Sequence, residues 1–133
     1  MGHQTVQDAM TSTPTAITPD TTVQEAARLM KTEDVGSLPI VEDGRLTCVI
    51  TDRDLAIRGV AEGLGADTPV RELASKDVVT IDPQQSLEEA ARLMAEHQIR
   101  RLPVVEEDGN LVGMLAQAGH DTLTGEVVQK ISQ

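Results

Sequence analysis

The sequence predicts an α+β fold built from two copies of one β-α-β-β-α unit. Three observations carry this: a repeat at an offset of 64 residues, one helical apolar stripe per copy, and one Asp-Gly turn between apolar runs per copy. Ile17-Thr18-Pro19-Asp20 recurs as Ile81-Asp82-Pro83-Gln84, and Ala26-Ala27-Arg28-Leu29-Met30 as Ala90-Ala91-Arg92-Leu93-Met94. Leu38-Pro39-Ile40-Val41 recurs as Leu102-Pro103-Val104-Val105, and one inserted residue then aligns Asp43-Gly44 with Asp108-Gly109. Self-similarity of this kind marks a duplicated supersecondary unit.

Each element follows in order. A short β segment (15–17; 78–81) ends at Pro19 or Pro83. A capping box opens the first helix, Thr22 with Glu25 and Ser86 with Glu89, each hydroxyl and carboxylate holding the other residue's N–H. Val23, Ala26, Ala27 and Met30, and likewise Leu87, Ala90, Ala91 and Met94, fall at i, i+3, i+4 and i+7, which is one face of a helix. Strands at 38–41 with 46–50, and at 102–105 with 111–115, flank Asp-Gly, the pair suited to a turn needing positive φ. A second helix follows each hairpin, at 52–63 and at 117–131. Residues 66–69 read as a linker and 70–74 as the start of the second copy, so the copies span 6–65 and 70–131. Neither is large enough to bury its own helical stripes, so the two should pack face to face about a pseudo-two-fold axis.

Composition narrows the function. The chain has 133 residues, 22 acidic against 11 basic, a formal net charge of −11, and no Phe, Tyr or Trp. That length suits one domain with a buried core. An acidic chain with no ring to stack on a base is ill-suited to binding a nucleic acid chain. No apolar run approaches a membrane span, the first ten residues lack a signal peptide's apolar stretch, and Val6 stands where a myristoylation signal needs Ser or Thr. The single cysteine, Cys48, has no internal partner. The expectation is a cytoplasmic domain with no membrane partner and a purely aliphatic core.

The segment richest in chemistry is Cys48-Val49-Ile50-Thr51-Asp52-Arg53-Asp54-Leu55, where a strand gives way to a helix. One reading is a further capping box, Thr51 with Asp54. The other uses the same turn as a ligand site. Free N–H groups at a helix start, the Thr51 hydroxyl and Arg53 would meet a phosphate, and the Asp54 carboxylate would accept hydrogen bonds from ribose hydroxyls. The second copy has Ala116 for Thr51 and Gly119 for Asp54. A ligand needed once per chain explains that asymmetry, although caps are also lost freely.

The ordered set Ile-Thr-Pro or Ile-Asp-Pro, Glu-Ala-Ala-Arg-Leu-Met, Leu-Pro-Ile/Val-Val and Val-Ile-Thr-Asp-Arg-Asp resembles a tandem pair of cystathionine β-synthase (CBS) domains, the Bateman module. Thr-Asp-Arg-Asp and Gln-Ile-Arg-Arg-Leu-Pro-Val are most similar to the stand-alone bacterial CBS-pair proteins, including the mycobacterial hypoxic response type. The resemblance implies a regulatory module and not an enzyme, with no catalytic residue and no cofactor. Its regulatory ligand would be AMP, ADP, ATP or S-adenosylmethionine, held between the copies. Thr51 and Asp54 map onto the phosphate and ribose contacts, and Arg53 joins them. The opposite wall maps onto Val79, Thr80, Ile99, Arg100, Arg101 and Pro103. Without aromatics, adenine would lie in an aliphatic slot formed by Ile99, Pro103 and Val79. The pseudo-symmetric cleft maps onto Ala16, Gly36, Ser37, Ala116 and Gly119 and departs from the pattern on both walls, so one competent site per chain is expected. The resemblance further implies a homodimer joined through helices, here through their Ala-rich faces, and an unidentified partner protein receiving the signal in trans. A rival expectation is a protein-interaction scaffold whose nucleotide site is vestigial.

Other features carry less. His3, His97 and His120 show no metal-ligand spacing with each other or with Cys48, and no metal site is expected. His97 fits a cation near a helix C-terminus, and Cys48 fits an inert core position. No Ser-His-Asp or Cys-His pattern, phosphate-binding glycine loop or carboxylate pair is present.

Overall fold

In the computed structural model, which describes residues 4–117, the chain folds as two units that cut across the repeat. One is the continuous stretch Thr15–Val78, and the other joins the residues up to Pro14 to those from Val79 onward. The elements in chain order are α1 Val6–Ala9, β1 Thr11–Ser12, α2 Val23–Glu33, β2 Ser37–Glu42, β3 Arg45–Thr51, α3 Asp52–Asp54, α4 Leu87–His97, β4 Arg101–Val105 and β5 Leu111–Ala116. A π-helical stretch, Leu55–Val60, continues α3, and Val70–Glu72 forms one 3-10 turn. The helix expected at 117–131 lies outside the described residues after Gln117.

In the continuous unit, β2 and β3 form an antiparallel hairpin with Leu38 opposite Ile50 and Ser37 opposite Thr51. Asp43 and Gly44 both take positive φ (52° and 81°), as the two-residue turn requires. In the other unit β4 pairs with β5 in the equivalent register, Leu102 opposite Leu115, and β1 adds a third strand at the β5 edge. The inserted residue lengthens that hairpin's turn. Only Gly109 is left at positive φ, and the Asp108 side chain accepts the Asn110 N–H.

The first β segments are shorter than expected. Ile17 and Ile81 each make a single parallel bridge, to Ile40 and Val104. Ile17 donates to Pro39 O and accepts from Val41 N–H, and Ile81 does the same with Pro103 and Val105. Two residues on, a proline without an N–H begins a turn and ends the pairing. Helix α2 opens with the full Thr22–Glu25 capping box, but in α4 only half of the box forms. Ser86 accepts the Glu89 N–H at 3.1 Å, while the Glu89 carboxylate turns to Arg92, which also binds Glu96. The first copy has Thr32 in the place of Glu96 and so lacks that second acid. Arg92 in turn holds the Glu89 carboxyl below its usual range, through their hydrogen bond first. The buried helical stripe is narrower than the sequence suggested. Ala26, Met30, Ala90 and Met94 are buried, Ala27 and Ala91 are exposed, and Leu29 and Leu93 pack at the core margins instead.

The segment 70–74, which leads the second copy by sequence, packs away from the rest of that copy: Val70 and Leu73 are fully buried with Ile17, Leu38, Ile40 and Ile50 in the continuous unit. Their counterpart, Val6, is fully buried with Ile81, Leu102 and Val104 in the other unit. The backbone bonds match at the 64-residue offset. Val6 donates to Gln85 O and Val70 to Thr21 O, while Gln7 donates to Pro83 O and Arg71 to Pro19 O. Each repeat thus lends its leading segment to the core of the other. Truncating either valine should cost roughly 2 kcal/mol. Val6→Ala is expected to speed amide exchange at Ile81 and Val104, with Ile17 and Ile40 unaffected, and Val70→Ala the reverse, as site-resolved hydrogen exchange would read.

Candidate functional site

Strand β3 delivers Thr51 in extended conformation (φ −117°, ψ 163°), and the chain turns directly into α3. Both halves of the capping box form. Asp54 N–H donates to Thr51 Oγ1 at 3.0 Å, and Thr51 N–H donates to Asp54 Oδ2 at 2.9 Å. Asp52 N–H is taken by Gly36 O at 2.8 Å. The N–H groups of Thr51, Asp52 and Asp54 are therefore already satisfied, and of the backbone donors at this turn the Arg53 N–H alone has no acceptor among the described residues. What the turn still offers is the Thr51 hydroxyl proton, since Oγ1 acts only as acceptor in the box, and Asp54 Oδ1. The Asp54 side chain is 14% exposed, and Arg58 Nε lies 3.9 Å from Oδ1. Arg53 is exposed. Side by side, a free hydroxyl donor and a mostly buried carboxylate acceptor can hold a polyhydroxylated, anionic small molecule.

The remaining predicted residues group by unit. Gly36 and Ser37 share the continuous unit with Thr51: Ser37 faces Thr51 across the hairpin, and a Cβ on Gly36 would stand 3.2 Å from Asp52 Oδ2. Glycine at 36 is thus where the Asp52 carboxylate lies against the backbone. Ala16, half-buried, lines an open cleft of about 460 Å³ in the same unit with Thr18, Thr21, Glu25, Arg28 and Leu29.

In the other unit, Val79 and Ile99 pack on the margin of the core, Pro103 is buried within β4, and Thr80 is half-buried. Arg100 is exposed. Arg101 opposes Ala116 across the β4–β5 hairpin and is half-buried, and that desolvation lowers its guanidinium pKa. No carboxylate lies within 4.0 Å of it among the described residues. At the end of β5, Gln117 N–H donates to Arg100 O at 2.7 Å, the same closure that Asp52 makes with Gly36. The backbone turn is kept there, but Ala116 has no hydroxyl, and Gly119 lies outside the described residues.

Two further residues were not singled out from the sequence. Arg58 bridges Asp54 Oδ1 and the Leu73 carbonyl, to which its Nη1 donates at 3.3 Å. Its i+4 spacing from Asp54 was the available signal. Arg28, on the Ala16 cleft, had no such signal. Cys48 is buried as expected, and His97 is exposed in the last turn of α4. Among the described residues no three His, Cys, Asp or Glu side chains converge to hold a metal, and no helix is long and apolar enough to cross a membrane.

The described residues thus form two β-α-β-β units, each closed by the leading segment of the other repeat, with a polar strand-to-helix turn at Thr51. A family model described as CBS domain matches residues 6–59 and 70–118, and the chain belongs to the CBS-domain family. It is 50% identical over 111 residues to the CBS domain-containing protein YhcV of Bacillus subtilis, covering 84% of this chain and 79% of that protein. Hypoxic response protein 1 of Mycobacterium tuberculosis is 39% identical, over 86% of this chain and 80% of its own length. The crystal structure of Hypoxic Response Protein I, which has two coordinated zinc ions, superposes with a TM-score of 0.78 at 38% identity, over 85% of this chain and 92% of that one. CBSX2 in complex with AMP superposes with a TM-score of 0.75 at 32% identity, over 86% and 90%.

Because the box at Thr51 is complete, its loss has a stability cost of its own. Asp54→Ala should lower stability by about 1 kcal/mol, a fall of a few degrees in thermal midpoint, measured by calorimetry without added ligand.

Proposed function

We propose that this protein is a regulatory module that binds one adenosyl ligand (AMP, ADP, ATP or S-adenosylmethionine) per chain and passes the binding event to a partner protein in trans. The observation that carries the reading is the asymmetry of the two strand-to-helix turns. Both copies keep the backbone closure, Asp52 to Gly36 and Gln117 to Arg100, yet only the first keeps a hydroxyl and a carboxylate. Structure alone is served by the backbone closure. The added pair in one copy is what a ligand needed once per chain requires.

The chemistry fits. The Thr51 hydroxyl donates to a phosphate or carboxylate oxygen, and Asp54 Oδ1 accepts from ribose hydroxyls. With three of the turn's N–H groups taken, an anionic group has the Arg53 N–H left among them, and Arg53, Arg100 and Arg101 are the candidate cationic side chains. Arg101 pays a desolvation cost that an anion would relieve. In a chain of net charge −11, such local positive charge is what draws an anion in. Val79, Ile99 and Pro103 supply aliphatic surface for adenine. AMP bound by the related CBSX2 supports the ligand class.

Self-association belongs to the same proposal. Ile57 (51% exposed), Val60 (76%) and Leu64 (40%) form the exposed large apolar group of the described residues, on and just after the π-helical stretch. A second copy of this chain is the partner we assign to that surface, beside the Ala-rich helical faces expected from the sequence, on which Ala27 and Ala91 are exposed. A single charge there should separate the copies: Val60→Asp is expected to sediment at half the mass of the parent. A parent that is already monomeric at micromolar concentration refutes the dimer.

A second reading, an interaction scaffold with a vestigial site, is favoured by one observation: in the complete Thr51–Asp54 box each side chain already holds the other residue's N–H, which gives both a structural role. Isothermal titration of the protein with AMP, ADP, ATP and S-adenosylmethionine separates the two. The sensor predicts saturable heat with at least one of them, at one site per chain, weakened tenfold or more by Asp54→Ala. Absence of heat and of any thermal shift with all four leaves the scaffold.

A further inference from the structure

The geometry points to Arg58 as the residue that couples the Thr51/Asp54 turn to residues 70–74, so that a ligand on the turn tightens the hold on that segment. This rests on the reading of the turn as an adenosyl site and adds its regulation.

Arg58 has two partners in the continuous unit. Its Nε faces Asp54 Oδ1 at 3.9 Å, and its Nη1 donates to the Leu73 carbonyl at 3.3 Å. Asp54 Oδ2 is tied to Thr51 N–H, so Oδ1 is the oxygen that both Arg58 and a ribose hydroxyl would address. The next residue, Gly59, touches the same target: a Cβ there would stand 2.9 Å from Leu73 Cδ2, so the bare backbone of the π-helical stretch lets the buried Leu73 side chain seat. Both contacts come from the π-helical stretch Leu55–Val60, where Ala61 donates to Ala56 O five residues back; Gly63 at φ 77° then ends the helix, with Leu64 donating to Gly59 O and Gly63 to Val60 O.

Leu73 is thus held by its carbonyl and its side chain from adjacent positions of one helix. Its segment is the leading part of the second repeat, which closes the core through Val70 and then runs through Ser75, bridged to Val49, to the crossover at Val78. A planar guanidinium with donors on two edges can serve Asp54 and Leu73 together, whereas a lysine ammonium on one flexible stem serves one at a time. The sequence gives an independent sign. At the offset that aligns Asp54 with Gly119, Arg58 aligns with Leu123, so both members of the pair are present in the first copy and both are missing in the second. A ligand that fixes the Asp54 carboxylate fixes Arg58, and reciprocity then requires that a firmly held Leu73 favour the ligand.

Hydrogen exchange on the full chain with and without saturating AMP tests this, with Arg58→Met, Arg58→Lys and a calorimetric titration of each variant. In the parent, AMP should slow exchange of the Leu73, Ala74 and Ser75 amides several-fold. Arg58→Met should still bind AMP, two- to fivefold more weakly as the loss of one exposed ion pair implies, and show no AMP-dependent change at those amides. Arg58→Lys should bind nearly as the parent does and still lack the protection, which a purely electrostatic or merely structural role for Arg58 would not produce. Protection that persists in Arg58→Met overturns the coupling and leaves the nucleotide site standing. No binding of AMP, ADP, ATP or S-adenosylmethionine by the parent overturns the site and the coupling with it.

Discussion

The exchange of leading segments is the constraint on which the rest of this structure depends. Among the described residues each half has a thin core, with no aromatic ring to fill volume, made from a hairpin, one helix and a single bridging isoleucine, to which Leu55 is added in the continuous unit. Val6 closes one core and Val70 with Leu73 closes the other, and each of them is fully buried. The apolar area they remove from water is supplied by the opposite repeat, so neither repeat completes its fold from its own residues. The chain must cross over twice, after Pro14 and after Val78.

This interleaving has a consequence for the site. The strand-to-helix turn at Thr51 stands in the same unit as residues 70–74, which belong by sequence to the second repeat. Contacts between them, Arg58 with Leu73 and Gly59 with Leu73, are contacts between the two repeats made inside one unit. On the proposed reading of the turn as a ligand site, a borrowed segment next to it is a physical means for binding to be felt elsewhere in the chain.

Much of this was legible in the sequence because it is governed by local rules. The Thr22–Glu25 box, the Asp43-Gly44 turn with both residues at positive φ, and the registers of the two hairpins follow from residues a few positions apart. Where local rules compete, the sequence was silent. Glu89 has equal claims from the Ser86 N–H and from Arg92, and Glu96 recruits Arg92 for the second. Ala27 and Ala91 fit the helical period as well as Ala26 and Ala90 do, but they sit on the outer side of the stripe, where nothing covers them. Helix α1 spans only Val6–Ala9, too short for periodicity to reveal.

At the candidate site the division is the same. The chemical identity of the Thr51/Asp54 turn, and its reduction to Ala116 in the second copy, are properties of the sequence alone. So are the duplicated unit, its α+β class and membership in the CBS-domain family. Tertiary structure decided that the N–H groups of Thr51, Asp52 and Asp54 are already occupied, that Arg101 is half-buried without a carboxylate beside it among the described residues, and that Arg58 reaches Leu73. It also decided which core each leading segment enters. The reason is that a repeat at a 64-residue offset looks identical whether a leading segment packs on its own copy or on the other. Periodicity records which face of a segment is apolar, and only the folded chain selects the surface that buries it.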